Sequence, residues 1–144
     1  MKGKRGYNVD LEKETKKNTN FRKVLYTTEH SQLVLMSLKP KEEIGEEMHE
    51  DRDQFFRFES GIGTAVINGI KRSVKDGSAI MVPAGARHNI INTSIKKDLR
   101  FYTIYSPPLA MCCLLPCIYQ LLQLLLLSGL LKGKACFQEL TFDP

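Results

Sequence analysis

Glu47, His49 and His88 are the residues of this chain whose types and spacing could do chemistry, because carboxylate oxygens and imidazole nitrogens are ordinary protein donors to a divalent metal. Glu47 and His49 lie two apart, so on an extended strand both side chains leave the same face. His88 opens the run HNIIN, in which His88, Ile90 and Asn92 look one way while Asn89 and Ile91 look the other. Turns at Gly77 and Gly85, with Pro83 closing a short apolar strand between them, aim that histidine into whatever the sheet encloses. Taken alone, such a histidine is ordinarily a half-buried strand residue; the upstream Glu47 and His49 give it partners. His30 has no chelating neighbour and reads as a loop residue.

The elements that must position these residues are short strands. Phe21–Thr27 and Gln32–Lys39 are rich in β-branched and large apolar residues, and in the second Val34, Met36 and Leu38 share a face. Gln54–Ser60 alternates Gln54, Phe56 and Phe58 against Phe55 and Arg57, and Gly61 and Gly63 supply a turn. Asn68-Gly69 marks a small hairpin. Leu99–Tyr105 is a last strand with Leu99, Phe101, Thr103 and Tyr105 on one face. About eight strands at short spacing, with no convincing helix, predict an all-β sandwich or barrel. The segment Glu42–Glu59 holds eight of the sixteen carboxylates, most of them expected on a solvated edge.

Gly77, Pro83, Gly85, His88 and Asn92 fill every fixed position of the second motif of the cupin superfamily, and the Glu47–Gln54 region resembles its first motif. In the common form of that first motif a histidine stands where Glu47 stands and a glutamate where Gln54 stands, with His49 as the second histidine. Runs such as EEMHEDRDQFF and FYTIYSPP are similar to small single-domain cupins labelled mannose-6-phosphate isomerase-like. The resemblance covers residues 21–108 and implies a jelly roll, the double-stranded β-helix, with Glu47, His49, Gln54 and His88 around one divalent transition metal ion (Fe, Mn, Ni or Zn). Phe56, Arg57, Asn92 and Tyr102 are the candidate pocket residues. It also implies a homodimer.

Residues 1–20 form a polar, basic leader with no signal-peptide pattern, so the expected compartment is the cytoplasm. The net charge of +5 is scattered, without the interleaved aromatic and basic residues of a nucleic-acid platform, so no nucleic acid is expected as a partner. Composition changes sharply at residue 109. Residues 1–108 contain six leucines and no cysteine, whereas 109–144 contain twelve leucines and all four cysteines. The uncharged run 109–131 would reach about 34 Å as a helix, enough to anchor in a membrane, yet Pro116, Gln120, Gln123 and Ser128 also suit a packed apolar helix or a reading-frame accident.

Two functions stay open on these residues. One is a metal-dependent enzyme on a small polar metabolite, such as a sugar isomerase or an oxygenase. The other is a non-catalytic module that binds or senses a small ligand in the same barrel.

Overall fold

The computed structural model describes residues 6–109. One short helix, α1 (Leu11–Lys17), precedes eight strands: β1 (Arg22–Thr27), β2 (Gln32–Leu38), β3 (Asp53–Ser60), β4 (Ile62–Ile67), β5 (Ile70–Lys75), β6 (Ala79–Val82), β7 (His88–Asn92) and β8 (Leu99–Ser106). They form two antiparallel sheets, one ordered β1-β2-β8-β3-β6 and one ordered β5-β4-β7. This is the expected jelly roll. The expected apolar run from residue 109 to 131 lies, apart from Leu109, outside the described residues. Among the described residues no helix is long and apolar enough to cross a membrane.

Side-chain alternation builds the interior. Val34, Met36 and Leu38 of β2 meet Phe101 and Leu99 of β8, Phe56 and Phe58 of β3, and Ile90 of β7 in one buried apolar cluster. Each such side chain removed from water contributes about 1.5–3 kcal/mol. The polar end of the same inner face is a single row across neighbouring strands, with Gln32 opposite Tyr105 and Tyr105 opposite Gln54. A register shift between Phe58 and Ser60 marks a bulge at the end of β3, where Phe58 stays in the core and Glu59 is buried beside Arg57.

The sharp turns obey backbone chemistry. Asn68 and Gly69 both have positive φ (47° and 80°), as a two-residue hairpin between right-twisted strands requires. The Asn68 side-chain oxygen also accepts the Arg87 amide at 3.0 Å, which ties this hairpin to the segment leading into β7. Gly61 is more constrained: its φ is +95°, and a β-carbon there would lie 2.5 Å from the Asp98 carbonyl oxygen.

Two features differ from the sequence reading. The leader contains α1, whose N-cap Asp10 accepts the Lys13 amide at 3.1 Å, with Glu12 and Glu14 in its first turn and Lys16 and Lys17 in its last. It packs against β8 and β3, Thr15 is fully buried, and Arg100 of β8 donates to the Lys16 carbonyl. Short length hid it, since seven residues show too few turns for an apolar period to emerge. The second difference is that Glu47 and His49 do not lie on a regular strand. Their segment pairs with the smaller sheet through isolated bridges of Glu43 with Ile91 and Glu47 with His88 rather than a continuous ladder.

Candidate metal centre

The two motif segments are sewn together by backbone. The Glu47 amide donates to the His88 carbonyl and the His88 amide to the Glu47 carbonyl, both at 2.8 Å, and the Gly85 amide donates to the His49 carbonyl at 2.8 Å. That pairing, rather than a continuous strand, carries Glu47 and His49 to the mouth of the barrel beside His88. Gln54 arrives from the opposite sheet, near the start of β3.

The side chains converge. The Glu47 carboxylate oxygen Oε2 lies 3.5 Å from His49 Nε2 and 3.9 Å from His88 Nε2, and one donor atom from each residue falls within 4.8 Å of the others. Donors held about 2.0–2.2 Å from one ion lie roughly 3–4 Å apart, so the spacing suits a shared cation after a small contraction. His49 Nε2 is buried and makes no hydrogen bond, a cost of about 1–3 kcal/mol for an ordinary polar group and therefore a mark of a site built for something else.

The tautomer of His88 points the same way. Its Nδ1 sits 3.2 Å from the Ala86 carbonyl oxygen, which can only accept, so Nδ1 carries the proton. In the neutral ring Nε2 is then a bare lone pair, and it faces Gln54 Oε1 at 2.9 Å. Gln54 is oriented by its other end, where Nε2 donates to Thr103 Oγ1 at 3.1 Å. Burial favours the neutral ring, pulling His88 below the ordinary imidazole value against the Ala86 carbonyl and the Glu47 charge, which act to raise it. A buried imidazole with one nitrogen anchored on a backbone carbonyl is the usual arrangement of a metal-ligating histidine.

Aromatic rings wall the site. Phe56, fully buried, places its ring centroid 5.8 Å from that of His88, and Tyr105 sets its ring edge-on to His49 with centroids 5.7 Å apart. The Tyr105 hydroxyl is pushed up to about 12, first by burial and then by the Glu47 charge, so it stays protonated. Tyr105 and Thr103 were missing from the expected site residues. Strand parity could have found them, since both share the inward face of β8 that the alternation had already marked.

Of the four expected pocket residues, only Phe56 lies at the site. Arg57 and Tyr102 pair across β3 and β8 on the outer face, where parity alone excludes them: Arg57 sits 3.4 Å from Glu59, and Tyr102 lies against Phe55 at 6.2 Å. Asn92 is fully buried at the far end of β7 as a clamp. Its Nδ2 donates to the carbonyls of Leu38 and Lys39 at 3.0 Å each and of Lys97 at 2.8 Å, so the motif's asparagine holds loops rather than ligand.

Residues 34–105 match the cupin domain family. An uncharacterized protein of Acanthamoeba polyphaga mimivirus, L612, is 47% identical over 104 residues, covering 70% of this chain and 65% of its own length. YrkC of Bacillus subtilis is 44% identical over 112 residues, covering 74% of this chain and 60% of its own length. The chain thus spans less than two thirds of these relatives. The crystal structure of BH2720 from Bacillus halodurans is 40% identical and superposes with a TM-score of 0.72, covering 76% of this chain and 86% of that one. With its sandwich closed over Glu47, His49 and His88, and with these matches, the chain belongs to the cupin family.

Proposed function

We propose that this protein is a metal-dependent cupin that acts on a small polar metabolite, with one divalent ion (Fe, Mn, Ni or Zn) held by Glu47, His49 and His88 and Gln54 as fourth donor. The observation that carries this reading is the buried, unbonded His49 Nε2 beside the Glu47 carboxylate and the His88 lone pair. Two imidazoles, a carboxylate and an amide oxygen form a borderline-to-hard donor set without thiolate, which suits those ions. When bound, such an ion polarises a carbonyl or acidifies a water, the chemistry an aldose–ketose isomerase uses. Around it, Phe56 and Tyr105 exclude water, Thr103 fixes the Gln54 amide, and the Ala86 carbonyl holds the proton on His88 Nδ1.

Elemental analysis after purification without an affinity tag tests the site: the wild type should carry close to one equivalent of metal. A His49→Ala, His88→Ala double variant should carry essentially none. Equal content in both would end the reading.

One observation favours a non-catalytic binding or sensing module instead. Among the described residues Glu47 is the one carboxylate at the site, and the Tyr105 hydroxyl is kept protonated, so the mouth of the barrel offers no spare base. Turnover of a panel of sugars and small acids with each of the four metals separates the two readings; saturable binding with no turnover across the panel selects the module.

A further inference from the structure

The ligand set has an uneven charge. Glu47 supplies its single negative group, imidazoles ligate in their neutral form, and the position facing His88 is the uncharged amide of Gln54, which is 1% exposed and locked by Thr103. A divalent ion held by this set keeps a net charge of about +1, where a glutamate at position 54 would cancel it.

The rest of the acidic segment does not make up the difference. Asp51 is paired with Arg52 and Glu46 with Arg87, while the Glu43, Asp53 and Glu42 carboxylates, still charged, are engaged by the Asn89, Ala84 and Lys39 amides rather than by the ligand cluster. Glu50 is exposed, where salt screens it. The mouth carries positive charge and donors instead. Arg22 reaches from β1 to within 3.3 Å of the Gln32 side-chain oxygen in the polar row beside Tyr105, and Tyr105, whose ring lies edge-on to His49, sits at the same end of the barrel.

We propose that Gln54 sets the ligand class of this site, making it selective for a small carboxylate anion that binds at the mouth between the Glu47, His49 and His88 cluster and Arg22. The inference rests on the metal-site reading above and adds to it the sign of the ligand. The amide of Gln54 is then a specificity-determining group: it keeps the His88 face of the site free of a second negative charge. Arg22 and Tyr105 supply the hydrogen-bond donors that a carboxylate accepts and a neutral amide or alcohol uses less well.

The test uses the full chain loaded with cobalt(II), with acetate as the anion and acetamide as its neutral counterpart of similar shape. Cobalt content is measured by elemental analysis and binding by the change in the visible cobalt absorption. In the wild type acetate should give a saturable change and bind at least tenfold more tightly than acetamide. Gln54→Glu should retain a full equivalent of cobalt and bind acetate at least tenfold more weakly. Equal affinities for acetate and acetamide in the wild type overturn the proposal, as does an unchanged acetate affinity in a cobalt-loaded Gln54→Glu protein. The wild-type comparison stands alone if that variant does not fold. A wild type that takes up no cobalt overturns the metal site itself, an outcome read from the metal content before any anion is added.

Discussion

At Asn92 a motif residue expected to line the pocket instead donates to three carbonyls from two stretches of chain. Replacing it by alanine leaves those buried oxygens without a donor and should destabilise the fold by about 2–3 kcal/mol, read as a lower urea midpoint, while leaving metal content unchanged. His88→Ala should remove the metal, whereas Gln54→Ala should weaken metal binding less, because an amide contributes no charge; competition with a chelator measures both. Asp98 governs behaviour in acid. Burial acts to raise it, but hydrogen bonds from Lys39 and Arg100 together win and hold it below the ordinary value of 3.8. A group depressed in the folded state contributes stability that is present above its unfolded value and is lost as pH falls through its folded value. Asp98→Asn should therefore narrow the stability gap between pH 6 and pH 3, measured by urea unfolding at both. Glu47, His49, Gln54 and His88 were legible in the sequence because their spacing is set by strand parity and turn chemistry. Asn92 was misread because a buried asparagine and a pocket asparagine have the same parity; only the loops it reaches, Lys39 and Lys97, tell them apart.

Turns and bulges decide which elements meet. Gly61 joins β3 to β4 where the chain passes against the Asp98 carbonyl, so Gly61→Ala combines a strained φ with a backbone clash and should cost about 2–4 kcal/mol in thermal or urea unfolding. Strands β1, β2, β3, β6, β7 and β8 were visible as runs of strand-forming residues, whereas β4 and β5 were marked only by the hairpin at Asn68-Gly69. The Glu47–His49 segment was not a strand because its neighbours, such as Gly45 at φ +89°, break the extended path; its position follows from long-range pairing with His88, which local pattern does not encode. Helix α1 was written in its ends rather than its middle. Asp10→Ala should cost about 1 kcal/mol if the helix adds to the stability of the sheet it covers, and no change in the urea midpoint would show that it does not.

Across the whole molecule, the outer face of the larger sheet bears an apolar row that runs Tyr26, Leu33, Ile104, Phe55, Met81 over five strands, and Met81 is 61% exposed. The expected homodimer would cover this row, so Met81→Glu should shift the full chain toward monomer in sedimentation at micromolar concentration, and a wild type that is already monomeric would remove the expectation. Chain truncated after Leu109 should unfold as cooperatively as the full chain, because Leu109 packs on the core and the Pro108 carbonyl accepts from Arg52. The pairing of Glu47 with His88 has a further bearing on how the protein comes into being. These partners, like Gln54 and His88, which stand 34 residues apart, are brought together by long-range pairing rather than by local structure. A chain leaving the ribosome thus carries two scattered half-sites, and long-range β-pairing is slow, on a scale of about milliseconds to seconds. With the metal site proposed above, capture of the ion would finish a barrel already closed. Metal supplied after refolding should load as fully as metal present from the start.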